Sequence, residues 1–81
     1  YFFKEFLKHN PNDSWAKIYY AFILAEQFDE VKKARELWTE VMKSDPGNPA
    51  PYFFIGELKI KEGKLKEGLV DLSQAVLLRS L

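Results

Sequence analysis

Ala34-Arg35-Glu36-Leu37-Trp38 lies over Gly68-Leu69-Val70-Asp71-Leu72 when the chain is shifted by 34 residues against itself. The same shift pairs Asp29 with Gly63, Val41 with Ala75 and Ile18 with Tyr52. Upstream, Phe3-Lys4-Glu5-Phe6-Leu7-Lys8-His9-Asn10-Pro11 matches Trp38-Thr39-Glu40-Val41-Met42-Lys43-Ser44-Asp45-Pro46 at a shift of 35. Glu5/Glu40, Lys8/Lys43 and Pro11/Pro46 agree in register with the apolar positions. Self-similarity at such a period marks a repeat architecture, in which one supersecondary unit buries its apolar face by stacking on the next.

Each unit reads as two helices. Asn48 is a good N-cap, and Pro49 suits a first helical position, where a missing N–H costs nothing. Tyr52, Phe53, Ile55, Gly56, Leu58 and Ile60 follow, and Gly63 is a C-terminal breaker. From about Leu65 a second helix carries Leu65, Leu69, Leu72, Val76 and Leu77 at helical spacing. The earlier unit repeats the plan. Asp13 or Ser14 caps a helix through about Gln27, Phe28-Asp29 turns, and Glu30 to Ser44 forms the partner helix. Asp45-Pro46-Gly47-Asn48-Pro49 is the strongest turn signal, and Asn10-Pro11-Asn12-Asp13 is its upstream counterpart. No segment alternates in the manner of a strand. The expectation is therefore an all-α chain of five helices, forming one domain over 1–81. Residues 1–10 are the second helix of an incomplete unit, 13–46 the first full unit and 48–81 the second.

The pattern resembles that of tetratricopeptide repeat (TPR) proteins, whose period is 34 residues and whose signature runs W-x2-L-G-x2-Y, A-x3-F, P. Tyr52-x2-Ile55-Gly56-x2-Lys59 follows the first half, with Tyr for Trp and Lys for Tyr. Ala34-x3-Trp38 and Pro46 follow the second half. Gly68-x3-Leu72 is a further copy, with Ser80 where Pro is expected. In the first full unit Ile18, Ala21, Phe22 and Ala25 take the pattern positions, so Phe22 replaces the usual Gly. The resemblance implies a right-handed solenoid of helical hairpins that acts through protein contacts. Trp15 and Ala34-Arg35-Glu36-Leu37-Trp38-Thr39-Glu40 also look like half-a-TPR (HAT) repeats, scaffolds of RNA-processing complexes. Gly68-Leu69 in the next unit lacks that family's Ala-Arg step.

Composition narrows the function classes. Of 81 residues, 47% are apolar and 30% charged, which is globular rather than disordered. Twelve Lys and Arg balance twelve Asp and Glu, without the basic surplus of a dedicated nucleic-acid or anionic-membrane binder. No apolar run approaches the roughly 18 residues of a membrane span. Tyr1-Phe2-Phe3 is followed at once by Lys4 and Glu5, unlike a signal peptide. There is no Cys, and His9 is the only His, so neither a thiolate zinc site nor a Cys–His arrangement can be assembled. Ser14, Ser44, Ser73 and Ser80 lack a nucleophile-elbow context, and no phosphate-binding loop is present. Glu26, Asp29 and Glu30 cluster at a turn without calcium-loop spacing. Lys59, Lys61, Lys64 and Lys66 interleave with Glu57, Glu62 and Glu67 as a mixed-charge surface. The expectation is a chain without enzyme activity, cofactor or metal.

The informative surplus is aromatic: Phe, Trp and Tyr make up 16% of the chain. Trp38, Phe3, Phe6 and Phe22 fall at interior pattern positions. The resemblance implies that the first helices of successive units line a concave groove. On this chain that face is Ala16, Tyr19, Tyr20, Ile23 and Gln27, then Ala50, Phe53, Phe54, Glu57, Ile60 and Lys61. Tyr19, Tyr20, Ile23, Phe53, Phe54, Glu57 and Ile60 are the candidate partner-binding residues. Relatives that clamp the C-terminal carboxylate of chaperones place Lys and Asn where Tyr19, Ile23 and Phe54 stand, so such a clamp is not expected. An aromatic groove suits an apolar or helical peptide or a partner chain. The second expectation is a structural or oligomerisation segment of a longer solenoid, its groove filled by further repeats or by a second copy of the chain, because the last helix is apolar on more than one side, through Leu69, Val70, Leu72, Ala75, Val76, Leu77, Leu78 and Leu81.

Overall fold

The computed structural model describes residues 2–80. Tyr1, expected to open the first helix, and Leu81, expected on the last, lie outside the described residues. Five helices and no strand account for those residues: α1 Phe2–His9, α2 Ser14–Gln27, α3 Val31–Ser44, α4 Ala50–Lys61 and α5 Leu65–Ser80. α2 pairs with α3, α4 pairs with α5, and α1 packs on α2. The molecule measures 36 × 30 × 15 Å. The short dimension fits two helix layers, whose axes pack about 8–10 Å apart.

Local chemistry sets the helix ends, and it recurs at the sequence period. Asp13 caps α2 by accepting the Ala16 N–H at 2.9 Å. Asn48 is nearly buried and accepts the Ala50 N–H at 3.0 Å, while its amide donates to Asp45 Oδ2 at 3.2 Å. Pro49 already has helical backbone angles and its carbonyl accepts from Phe53, so Asn48 acts as the cap although the regular helix begins at Ala50. The two turns also share backbone bonds. Asn10 N–H reaches the Phe6 carbonyl and Asp13 N–H that of Asn10; Asp45 N–H reaches Val41 and Asn48 N–H reaches Asp45.

The hairpin bends repeat too. Among the described residues, positive φ occurs only at Asp29 (54°) outside glycine and at Gly63 (86°) among the glycines. Gly63 N–H bonds to the Ile60 carbonyl and Lys64 N–H to that of Lys59, which is a Schellman closure. At the equivalent bend Glu30 N–H reaches the Leu24 carbonyl instead. The helices that follow begin alike, with Ala34 N–H on Glu30 and Gly68 N–H on Lys64.

The core lies where the two hairpins meet, built from Ile18, Ala21, Ala34, Trp38, Val41 and Ile55. The Trp38 indole N–H donates to the Ile18 carbonyl at 3.3 Å, which satisfies its one donor inside the core. The α4–α5 crossing brings backbone against backbone. A β-carbon on Gly68 would lie 2.8 Å from the Gly56 carbonyl oxygen and 2.5 Å from Ile60 Cγ1. One on Gly56 would lie 2.9 Å from the Gly68 carbonyl oxygen. Phe22 departs from the interior position expected of it and is 39% exposed. A benzyl group does not fit a crossing as close as the one at Gly56. The ring lies instead against Phe54, with centroids 5.5 Å apart.

Ion pairs stitch the surface. Lys17 meets Glu40 at 3.4 Å, Arg35 meets Glu62 at 2.6 Å, Lys59 meets Asp71 at 2.8 Å and Lys61 meets Glu26 at 3.6 Å. The more exposed pairs, Arg35–Glu62 and Lys61–Glu26, contribute about 0–1 kcal/mol each, whereas the Lys59 and Asp71 side chains are only 29% and 15% exposed.

Candidate functional site: an aromatic groove

A groove of about 560 Å3 opens across α2, α4 and α5. Trp15, Ile18 and Tyr19 of α2 form one wall. Pro49, Ala50, Phe53 and Phe54 form the floor, and Leu72, Ala75, Val76 and Arg79 of α5 form the far wall. Arg79 is the one charged side chain among the described residues lining it.

Helical geometry explains which aromatics face the opening. Sequence neighbours on a helix point about 100° apart, so adjacent rings divide between core and groove. Phe54 is half-buried and stacks on Trp38, with centroids 5.3 Å apart and planes at 12°. Phe53 points outward and meets Phe54 edge-on, with centroids 5.6 Å apart. On α2 the outward ring is Tyr19, stacked between Trp15 at 6.1 Å and Phe3 at 6.0 Å. Offset or edge-on rings at such separations are mutually favourable. Trp15, Tyr19 and Phe53 remain 53%, 48% and 46% exposed.

Of the candidate partner-binding residues, Tyr19, Phe53 and Phe54 come together in this groove. Tyr20 and Ile23 are half-buried outside its lining, and Glu57 is exposed elsewhere. Ile60 faces Gly68 in the α4–α5 crossing. Ala16, also expected on the concave face, is buried at 5% exposure and does not line the groove. The far wall was not anticipated: Leu72, Ala75, Val76 and Arg79 sit on a second helix, whereas the expectation followed first helices only. Their signal was present in the period, since a shift of 34 maps them onto Trp38, Val41, Met42 and Asp45.

No group of three or more His, Cys, Asp or Glu among the described residues is placed to hold a metal ion. No described helix is long and apolar enough to cross a membrane. Comparison with family models, with curated proteins and with solved structures returned no match.

Proposed function

We propose that the chain is a non-enzymatic protein-interaction module made of two TPR-like hairpins, with α1 as the second helix of a further unit. Its partner is an apolar or helical segment of another protein, held in the aromatic groove. The observation that carries this reading is the exposure of Trp15, Tyr19 and Phe53 side by side in one concavity. Contiguous apolar surface of this kind commonly marks a partner site. The recurrence of turn bonds, caps and left-handed bends at the sequence period supports the repeat assignment. The absence of any acid, base and nucleophile constellation in the sequence supports a role without catalysis.

The test is the double change Tyr19→Ser and Phe53→Ser. Both side chains are about half exposed, so the fold should survive, as judged by circular dichroism. Aromatic anchors at an interface centre commonly contribute about 2 kcal/mol or more, roughly thirtyfold in affinity. Capture of a partner identified with the parent chain should therefore fall sharply. A folded double variant that captures the partner unchanged would end this reading.

A further inference from the structure

The period also indicates what shape the groove is built to receive. One unit earlier, Trp38 and Val41 are buried in the core, Met42 packs against it, and Phe54 of α4 stacks on Trp38. Their counterparts Leu72, Ala75 and Val76 line the open groove. Along the rest of α5 the contrast continues. Val31, Arg35 and Met42 are only partly exposed, whereas Leu65, Leu69 and Val76 are 59%, 56% and 64% exposed. The seat that α4 occupies on the first hairpin is thus present, and open, on the second.

We infer that the groove and the outer stripe of α5 receive an amphipathic α-helix of a partner protein, seated as α4 is seated on α3, with an acidic residue at its N-cap. This deepens the interaction-module reading and rests on it. The direction follows from three contacts along the filled seat. Asn48 meets Asp45, Phe54 stacks on Trp38, and Glu62 meets Arg35. The chain of α4 therefore rises while that of α3 falls, and the partner helix runs antiparallel to α5. Its length follows from the stripe, since Leu65 to Arg79 spans about 21 Å of helix at about 1.5 Å per residue.

The chemistry differs from the filled seat at two places. Asp45 becomes Arg79, so the residue in the place of Asn48 should carry a negative charge, which also suits a helix N-terminus. Arg35 becomes Leu69, so the residue in the place of Glu62 should be apolar. Between them an aromatic in the place of Phe54 would lie over Leu72, the counterpart of Trp38. The partner motif is therefore an acidic cap, an aromatic six residues on, and apolar residues at each of the next two fourth positions.

The probe is a synthetic peptide copying residues 48–64 of this chain with Asn48→Asp and Glu62→Leu, fluorescently labelled and titrated with the full chain by anisotropy. Saturable one-to-one binding is expected. Phe54→Ala in the peptide should weaken it at least about tenfold. Leu69→Glu with Val76→Glu in the chain should do the same; both side chains are exposed, so folding is retained. Arg79→Glu should weaken binding about fivefold, and a peptide with Lys at the cap should recover it, because the charge pair is then restored in reverse. Absence of binding overturns the seat, while partner capture by the groove variants still judges the module reading separately. Binding lost on Tyr19→Ser and Phe53→Ser but indifferent to Leu69, Val76 and Arg79 also overturns the seat and leaves the module standing. A parent chain that sediments as a dimer, dissociated by Val76→Glu, would assign the stripe to a second copy and overturn the partner helix.

Discussion

Asp29 and Gly63 share a left-handed backbone at equivalent bends, but only one of them is glycine. Aspartate tolerates this region better than most residues, yet a β-carbon there is still strained. Asp29→Gly should raise stability by about 0.5–1 kcal/mol, seen as a higher urea midpoint. An unchanged or lower midpoint would mean that the Asp29 side chain contributes something its backbone geometry does not indicate. Trp38 stands at the opposite extreme. It is 3% exposed, its indole N–H is bonded to Ile18, and its ring carries Phe54. Truncating a buried Trp costs about 3–5 kcal/mol, a large share of the stability of so small a chain. Trp38→Ala should be largely unfolded at 25 °C by circular dichroism; a cooperative melt near that of the parent would contradict its place in the core. Trp38 was legible from sequence because its helix buries one stripe and the stripe passes through it. The exposure of Phe22 was not, because pattern position gives the face of a helix but not the clearance at a crossing.

At the scale of elements, the crossing of α4 and α5 is the most restrictive contact. Alanine normally favours a helix interior over glycine by about 1 kcal/mol. Gly68→Ala should nevertheless destabilise, since the added carbon meets a backbone carbonyl rather than a flexible side chain. Overpacking of this kind costs about 1–3 kcal/mol, which should exceed the propensity gain and lower the melting temperature. Ala34, fully buried at the equivalent position, should likewise reject bulk, so that Ala34→Leu lowers the urea midpoint. An unaffected midpoint in either variant would dislodge the hairpin register. Helix existence and order were legible because caps, turn prolines and the apolar period all agree. Boundaries came within a residue or two, with Asn48 capping a helix whose regular bonding starts at Ala50. The groove-facing set was less legible. Adjacent aromatic pairs revealed Tyr19 and Phe53, but which ring of each pair turns inward depends on the neighbouring hairpin. Ile60 is drawn into the crossing by the glycine opposite it.

Over the whole molecule, a slab 15 Å thick has its core where the hairpins meet and leaves apolar residues of its last helix exposed. The face of α5 is the counterpart of the one that α4 meets on α3, and the groove beside it is lined by Trp15, Tyr19, Phe53 and Phe54 and by Leu72, Ala75 and Val76 of α5. That third wall escaped the sequence reading because it exists only when the two hairpins are stacked. We propose that this groove and stripe form one helix-binding surface. Amide chemical-shift mapping of the full chain, titrated with the peptide copying residues 48–64 with Asn48→Asp and Glu62→Leu, tests it most directly. Saturable shifts are expected at Trp15, Tyr19, Phe53, Leu69, Val76 and Arg79, with Lys32, Glu36 and Lys43 on the outer face of α3 unmoved. Shifts centred on that outer face, or none at saturating peptide, would contradict it.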